Sequence, residues 1–262
     1  MSGPVAALVA APVVAIVQAR MTSTRLPGKV LKEICGTTIL GHVLARLGGA
    51  NRIDKLVVAT STDSTDDVIE QWCRDNGQEV SRGSLDDVLD RYYGAAVETG
   101  AAIVVRITAD CPLIDPQIVD SVIELLLSGG HDYASLGGDF PDGLDCEAFT
   151  FETLKRAHAE AKLASEHEHV TPYIYKNPDR FDIATVTLEG GNAQLRWTVD
   201  DEKDFSLVTH IFEGLSGTDA DKLFYTGDIL EFLRKNPELS SINSETIRNE
   251  GYAKSIREDH EV

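Results

Sequence analysis

The feature of this chain that most restricts its fold is a regular alternation of strand and helix patterns over the first half of its 262 residues. Short apolar runs rich in β-branched residues predict strands, and the segments between them carry apolar residues at helical spacing. We predict strands at residues 13–18, 55–59, 79–81 and 102–107, and helices at 38–47, 64–75, 85–99 and 116–127. This order predicts an α/β fold in which a mostly parallel central sheet has helices on both faces.

The second half of the chain contains the same kinds of element in a less regular order. We predict strands at residues 146–149, 181–188 and 195–199, and helices at 151–161, 165–176, 202–215 and 226–236. A chain of this length is commonly one α/β domain. We interpret residues 1–11 as an N-terminal extension, residues 12–236 as a single domain, and residues 237–262 as a polar C-terminal tail.

The net charge excludes some classes of partner. The chain has 43 Asp and Glu against 24 Lys and Arg, which gives a formal net charge of −19. Nucleic-acid polymers and anionic membranes bind net basic surfaces, so we expect neither as a partner. The apolar stretch at residues 5–17 lacks a basic flank and is too short to cross a membrane. The four cysteines are widely spaced without a C-x-x-C pair, which favours reduced thiols in a cytoplasmic protein.

Several of the scarce positive charges cluster in the loop directly after the first predicted strand. Arg20, Arg25 and Lys29 share this loop with a run of hydroxyl residues at 22–24. Open α/β sheets bind ligands at the carboxyl ends of their strands, where such a loop can surround phosphate oxygens. The loop matches neither G-x-x-x-x-G-K-[ST] nor G-x-G-x-x-G, so our hypothesis is a polyphosphate site of another type. A solvated basic loop beside the turn at residues 27–28 is the alternative.

Acidic residues follow two other predicted strands. Asp110 comes after the fourth strand, and Asp200 and Asp201 come after the last one. Mg²⁺ is held by one or two carboxylates together with phosphate oxygens and water, so Asp110 and one of the later aspartates could form a magnesium site. The alternative for Asp110 is a cap of the helix that begins near residue 112 or 116. Of Asp200 and Asp201, the one that does not hold the metal is expected to cap the next helix. Asp204 is expected to be exposed or to lie in the first turn of the next helix.

Five segments together resemble the cytidylyltransferases that activate acidic sugars, such as the 3-deoxy-manno-octulosonate and acylneuraminate enzymes, and most of all the spore-coat polysaccharide (SpsF-type) group. Residues 19–29, A-R-M-T-S-T-R-L-P-G-K, resemble the signature A-R-x-x-S-x-R-L-P-x-K. Residues 82–92 and 106–112 resemble the SpsF-type runs R-G-x-x-x-D-V-L-x-R-Y and R-x-T-x-D-x-P. The segments F-P-D-G-L-D-C-E at 140–147 and E-H-V-T-P-Y at 168–173 are similar as well.

The resemblance implies a Rossmann-like nucleotide-diphosphosugar-transferase fold and a Mg²⁺-dependent enzyme that transfers CMP from CTP to an acidic sugar, releasing pyrophosphate. It implies that Arg20, Lys29 and Asp110 serve catalysis, and that Asp110 and Asp200 hold the metal. The implied nucleotide contacts are Gln18, Ala19, Arg20, Ser23, Arg25, Lys29, Ser84, Asp87 and Arg106, and the implied acceptor contacts are Arg91, Asp142, Asp145, Glu147 and His169. Because related enzymes are commonly dimers, the expected partners are CTP, a small acidic acceptor and a second copy of the chain.

Other interpretations stay open at this point. Residues 87–92 could be only a capped helix, and residues 142–147 only a turn. A glycosyltransferase that uses a nucleotide sugar shares the fold, but it usually carries a D-x-D motif, which the run D-C-P at 110–112 lacks. A phosphonate could replace the sugar, because Arg106 and Thr108 flank the aspartate in the SpsF manner. A non-catalytic nucleotide-binding regulator is a further class. A metal site at residues 166–169 is disfavoured because adjacent helical residues diverge.

Overall fold

The structure is a computed structural model that describes residues 12–188, 191–216, 223–246, 248 and 250–262. The predicted extension at residues 1–11 lies outside the described residues. The strands are β1 (Val13–Gln18), β2 (Glu33–Ile34), β3 (Thr37–Thr38), β4 (Lys55–Ser61), β5 (Val80–Gly83), β6 (Ile103–Thr108), β7 (Tyr133–Leu136), β8 (Glu147–Thr150) and β9 (Ile183–Val186). The helices are α1 (Ile39–Leu47), α2 (Asp67–Asp75), α3 (Val88–Thr99), α4 (Pro116–Gly129), α5 (Phe151–Glu160), α6 (Ala164–His169), α7 (Pro172–Tyr175), α8 (Glu202–Ser216), α9 (Thr226–Lys235) and α10 (Glu250–Arg257).

Seven of these strands form one mostly parallel sheet in the order β5-β4-β1-β6-β8-β7-β9. Strand β1 lies inside the sheet and pairs in parallel with both neighbours, so that Val17 lies beside Val58 on one side and Ile107 on the other. Strand β8 runs antiparallel to both β6 and β7. The sheet confirms the predicted α/β class, and β1 is central because its side chains are apolar on both faces.

Each face of the sheet is covered by its own apolar cluster, because successive residues of a strand point to opposite faces. Ala15 and Val17 of β1 pack with residues of α1, α2 and α4 on one face. Val14 and Ile16 pack with residues of α3 and α5 on the other. A third cluster surrounds the fully buried Trp197 beneath α8 and α9. With both faces covered, the carboxyl ends of β1 and β6 are the natural place for a ligand.

The predicted strand at residues 195–199 is wrong. In place of a strand ladder, this segment forms a single isolated bridge to Asp142. Its backbone bonds go to two loops: the Trp197 N–H donates to the Asp142 carbonyl at 2.6 Å, and the Val199 N–H donates to the Asp110 carbonyl at 2.8 Å. The apolar pattern therefore reflects a buried extended segment, which carries the residues after it to the end of β6.

The single helix predicted at residues 165–176 is also wrong, because α6 ends at His169 and α7 begins at Pro172. Val170 lies between them with φ +73°, a left-handed backbone conformation that a helix cannot contain. Pro172 then starts the second helix, where its missing N–H costs no hydrogen bond. The break turns the chain at the edge of the cavity described below.

Strand β7 and helix α10 are elements that the sequence analysis does not predict. Strand β7 follows the point where the regular alternation ends, and α10 lies in the polar tail. Within the described ranges, no helix combines the length and the apolar character needed to cross a lipid bilayer.

Candidate functional site

The loop after β1 is held in place by a buried carboxylate. Asp66 accepts the Met21 N–H at 2.7 Å through one oxygen, and the N–H and hydroxyl of Ser61 at 3.2 and 2.5 Å through the other. Gly28 closes the far end of the loop with φ +68°, and its N–H donates to the Met21 carbonyl at 3.0 Å. Glycine is favoured there because the left-handed region is strained for other residues. The loop that carries the predicted cations is thus fixed at both ends.

Lys29 extends from this loop and joins two carboxylates. Its Nζ donates to Asp110 Oδ2 at 2.8 Å, to Asp200 Oδ1 at 2.7 Å and to the Val199 carbonyl at 2.8 Å. Burial alone would lower the pKa of Lys29 and raise the pKa of Asp110, but the opposite charges outweigh it. The pKa of Lys29 lies above its ordinary value, and the pKa of Asp110 falls to about 2. Lys29 and Asp110 are therefore both charged at neutral pH.

Arg196 is the centre of a second, more deeply buried charge cluster. Its guanidinium contacts Asp142 at 2.5 Å, Asp200 at 2.5 Å and Asp204 at 3.0 Å. Burial would lower the pKa of Arg196, but these carboxylates outweigh burial and raise it. Asp204 lies in the first turn of α8, as one of the two predicted alternatives had it, and its side chain is fully buried rather than exposed. The reason is that a buried guanidinium is stable only beside compensating carboxylates.

Of the two aspartates after residue 199, Asp201 is the one that caps a helix, as predicted for one of the pair. Asp201 accepts the N–H groups of Lys203 and Asp204, each at 2.9 Å, and so caps α8. Asp115 caps α4 by accepting the Gln117 N–H at 2.9 Å. Asp110 and Asp200 are left to face each other across Lys29.

A cavity with a volume of about 440 Å³ lies beside these groups. Its size falls within the range of small-molecule sites, roughly 300–1,000 Å³. Ten predicted site residues line it: Gln18, Arg20, Ser23, Arg25, Lys29, Asp110, Asp142, Asp145, His169 and Asp200. Arg25 contacts Asp200 at 3.1 Å, whereas Arg20 makes no hydrogen bond or ion pair within the described part of the chain. The Arg20 guanidinium is therefore available to an anionic ligand.

Three other predicted contacts do not line this cavity but organise the start of α3. The Ser84 hydroxyl accepts the Asp87 N–H at 3.0 Å, and Asp87 accepts the Asp90 N–H at 2.8 Å as the cap of α3. Arg91 is 1% exposed and donates to the carbonyls of Ser84 and Leu85 at 2.8 and 2.9 Å. This arrangement is the capped helix that was the alternative interpretation of the segment.

Ala19, Arg106 and Glu147 also lie outside the cavity lining. Ala19 is buried and donates its N–H to a carbonyl of β4. Glu147 accepts hydrogen bonds from Arg106 Nη1 at 2.6 Å, from the Thr171 hydroxyl at 2.8 Å and from the Tyr133 hydroxyl. Because its oxygens are all engaged, Glu147 connects β6, β7 and β8 to the segment between α6 and α7.

Asp142, Asp145 and His169 form another part of the cavity wall. Burial and the charge of Asp145 raise the pKa of Asp142 to about 6, although Arg196 opposes them. Burial and the charge of Arg106 lower the pKa of His169, so its imidazole is neutral at neutral pH. Neutral imidazole and carboxylate oxygens accept hydrogen bonds from hydroxyl groups. This part of the wall suits a ligand that carries hydroxyls.

The pair Asp110 and Asp200 fits a divalent cation. Each already places an oxygen within 2.8 Å of one cation, Lys29 Nζ, and their side chains remain 26% and 24% exposed. Mg²⁺ takes one or two carboxylates and completes its shell with phosphate oxygens and water. No group of three or more His, Cys, Asp and Glu ligands occurs among the described residues. An ion held here would therefore need oxygens from a bound nucleotide.

The sequence analysis missed the parts played by Asp66, Arg196 and Tyr252. A lone arginine in a buried apolar segment, followed by several acids, was the available signal for Arg196. Asp66 looks like an ordinary residue at a helix start, and its bond to the loop joins residues 45 positions apart. Tyr252 lines the cavity from the C-terminal tail, for which no local pattern exists.

The fold and the site define a nucleotide-binding α/β protein, in which a cationic loop at the end of a central parallel strand faces two carboxylates. A family model described as cytidylyltransferase matches residues 14–216, and the chain belongs to that family. It is accordingly a nucleotidyltransferase that uses CTP, with the Rossmann-like fold of that class, and the predicted resemblance is confirmed.

Two curated proteins and one solved structure are similar over most of the chain. The uncharacterized protein MJ1063 of Methanocaldococcus jannaschii is 37% identical over 246 residues, which are 92% of this chain and 97% of that protein. The spore coat polysaccharide biosynthesis protein SpsF of Bacillus subtilis is 30% identical over 233 residues, covering 86% and 95%. A cytidylyltransferase structure from Leptospira borgpetersenii is 33% identical and superimposes with a TM-score of 0.82, covering 88% of this chain and 97% of that one.

Proposed function

We propose that the protein transfers CMP from CTP to a hydroxyl of an acidic sugar or a similar polyol acid, with Mg²⁺ as cofactor and release of pyrophosphate. The observation that carries this proposal is the convergence of Arg20, Arg25 and Lys29 with Asp110 and Asp200 on one cavity. Guanidinium and ammonium groups bind phosphate oxygens, and paired carboxylates bind the metal that accompanies a triphosphate.

The cationic side chains stabilise the leaving group in this proposal. The acceptor oxygen forms a bond to the α-phosphorus as the bond to the β-phosphate oxygen breaks, and the acceptor hydroxyl loses its proton. Arg20, Arg25 and Lys29 neutralise the charge that develops on pyrophosphate, which is the main requirement of such a transfer. The Ser23 hydroxyl accepts the Leu26 N–H at 3.4 Å and keeps its own hydrogen for a phosphate oxygen.

Asp110 and Asp200 hold Mg²⁺ in this proposal. When bound, the ion offsets phosphate charge and fixes the orientation of the triphosphate. The two carboxylates are positioned for this by the backbone contact between Val199 and Asp110, and Arg196 fixes the orientation of Asp200.

Asp142, Asp145 and His169 contact the acceptor in this proposal, because their polar atoms face the cavity. Ser84, Asp87 and Arg91 fix the start of α3 through the bonds described above. Glu147 joins Arg106 to Thr171, two residues after His169. The name of the relative SpsF, which refers to polysaccharide biosynthesis, supports a sugar as acceptor. A phosphonate acceptor is the second candidate of this type.

The proposal is tested by measuring pyrophosphate release with CTP, Mg²⁺ and a panel that includes 3-deoxy-manno-octulosonate, N-acetylneuraminate, neutral sugars and phosphonates. We expect release only with CTP and an acidic acceptor. Asp110→Asn should reduce the rate by about 100-fold, since the site loses charge that it uses in the transition state. Asp139→Asn is the matched control, because Asp139 is exposed and lies outside the cavity.

Two results would contradict the proposal. Unchanged pyrophosphate release by Asp110→Asn would remove Asp110 from the reaction. Transfer from a preformed nucleotide sugar, with no pyrophosphate released from CTP, would identify a glycosyltransferase instead. The D-C-P sequence at residues 110–112, which has only one aspartate, favours the cytidylyltransferase.

We further propose that the protein works as a homodimer in the cytoplasm. The resemblance to enzymes that are commonly dimers supports the first part, and four cysteines with free thiols support the second. Light scattering should give twice the chain mass of 28.5 kDa. A mass of one chain would contradict the dimer.

A further inference from the structure

We propose that the C-terminal helix α10 forms the acceptor wall of the cavity, and that Tyr252 on this helix contacts the acceptor and helps to select it. This inference rests on the proposed transfer reaction, but it concerns residues outside the part of the chain that the cytidylyltransferase family model matches, which ends at residue 216. It assigns the choice of acceptor to the tail and leaves nucleotide binding to the loop after β1.

Tyr252 is held in place from several sides. Its ring packs edge-on against the His169 ring, with 4.9 Å between centroids. Its hydroxyl and the Tyr175 hydroxyl are 2.9 Å apart, and Lys176 Nζ lies 5.7 Å from the ring centroid. Tyr252 and its neighbour Gly251 both line the cavity. A fixed aromatic ring on a cavity wall provides contact area at low entropic cost.

The helix that carries Tyr252 is attached to the part of the wall that contains Glu168 and His169. The Ser255 hydroxyl donates to Glu168 Oε2 at 2.6 Å and lies 3.0 Å from His169 Nε2. Asp259, just beyond α10, accepts the Ser165 N–H at 3.0 Å and its hydroxyl at 2.6 Å. These bonds fix α10 against α6.

Arg248 fixes the chain just before α10 in a similar way. Its guanidinium donates to Asp145 Oδ1 at 3.1 Å and to the Phe140 carbonyl at 3.0 Å. Asp145 also lines the cavity, so Arg248 is a positioning residue for it. The segment from Arg248 onward therefore meets the cavity wall through Asp145, Glu168 and His169. The Lys29 ammonium bonds instead to Asp110, Val199 and Asp200.

The chemistry of this wall fits a sugar. A pyranose ring has an apolar face of C–H bonds, which an aromatic ring can cover, and a rim of hydroxyls, which carboxylates and a neutral imidazole can accept. Tyr252 offers the first kind of contact, and Asp145, Glu168 and His169 offer the second. The proposed function assigns phosphate binding to the loop after β1 and not to this wall, so loss of the wall should affect acceptor use more than CTP use.

The test compares Tyr252→Ala with Tyr252→Phe and with Lys254→Ala. Lys254 is exposed on the same helix and lies outside the cavity lining, which makes it a matched control. The acceptor used is the one that gives the fastest pyrophosphate release in the panel above. We expect Tyr252→Ala to raise the KM for this acceptor by about tenfold, which is the effect of one lost ring contact. The KM for CTP should stay within about twofold. Tyr252→Phe keeps the ring and should restore most of the acceptor affinity.

Water provides a second probe that needs no sugar. Without the Tyr252 ring, the acceptor wall is open to solvent, so Tyr252→Ala should hydrolyse CTP to CMP and pyrophosphate faster than the wild type and Lys254→Ala. The inference would be overturned if Tyr252→Ala had the wild-type KM for the acceptor, or if its KM for CTP rose as much as its KM for the acceptor. Equal rates of CTP hydrolysis by the wild type, Tyr252→Ala and Lys254→Ala would overturn it as well. Absence of turnover of any acceptor in the wild type would instead count against the proposed function, and the hydrolysis comparison would still decide the role of Tyr252.

Discussion

At the scale of single residues, the site depends on how one ammonium group is shared. Lys29 is 8% exposed and contacts both Asp110 and Asp200, so three segments distant in sequence meet at its Nζ. Two carboxylates this close repel each other unless a cation lies between them. Lys29 is therefore both a part of the fold and one of the cations that line the expected phosphate site.

Replacement of Lys29 should affect activity far more than replacement of a neighbouring lysine. Lys29→Met keeps the length of the side chain but removes its charge, and we expect kcat to fall by about 100-fold or more. Lys32→Met is the control, because Lys32 lies outside the cavity lining, where it pairs with Glu202 at 3.4 Å and lies over the Phe205 ring. Pyrophosphate release measures both variants, and equal rates would contradict the assigned role.

The Lys29–Asp110 pair also predicts how stability depends on pH. The pKa of Asp110 falls from 3.8 to about 2 on folding, so its contribution to stability is present above about pH 4 and is lost as the pH falls toward 2. The pKa of Lys29 is raised, so its contribution is full below pH 10.5 and is lost above that value. Urea unfolding should show the difference in stability between wild type and Asp110→Asn shrinking from pH 4 to 2. A constant difference over that range would refute this assignment.

At the scale of elements, the loop after β1 is fixed by Asp66, which the chain brings in from the turn before α2. Asp66→Asn replaces an acceptor oxygen by an amide that cannot accept from both Ser61 and Met21. We expect the KM for CTP to rise by about tenfold, as for one lost buried hydrogen bond to a charged group. Asp75→Asn, at the exposed end of α2, is the control. Circular dichroism must show both variants folded, and an unchanged KM in Asp66→Asn would contradict the anchoring role.

The elements that could be predicted are those whose pattern is local. Strand β1 has its predicted bounds because six consecutive residues favour a buried strand. Helix α1 begins one residue after its predicted start, because Thr38 is its cap. The break at Val170 could not be predicted, because a left-handed valine is set by tertiary contacts rather than by sequence. Residues 195–199 have the composition of a strand, but their partners are loops. Asp110 and Asp200 were found because they follow such segments, whereas Asp66 and Tyr252 reach the site from distant parts of the chain.

At the scale of the whole molecule, the distribution of charge matters more than its sum. The chain carries a net charge of −19, yet it gathers Arg20, Arg25 and Lys29 at one cavity. A long polyanion would be repelled by the net negative charge of the rest of the chain, whereas a single triphosphate can enter the cavity. The composition is thus compatible with a nucleotide and unfavourable for a nucleic acid.

Nucleotide binding should therefore stabilise the whole fold through its phosphates. At about 100 times its Kd, CTP with Mg²⁺ should raise the free energy of unfolding by about 2.7 kcal/mol. Cytidine at the same concentration has no phosphate for the cationic loop and should have little effect. Thermal or urea unfolding makes the comparison, and equal stabilisation by cytidine and CTP would count against phosphate binding by this loop.

The Lys29 ammonium can donate its hydrogens either to Asp110, Asp200 and the Val199 carbonyl or to the phosphates of a nucleotide. A phosphate that draws this ammonium away leaves Asp110 and Asp200 facing each other with unbalanced charge, and that imbalance favours any cation that arrives with the nucleotide. The lysine thereby acts as an exchangeable counterion built into the chain. By linkage, each of the two incoming ligands should bind more tightly in the presence of the other.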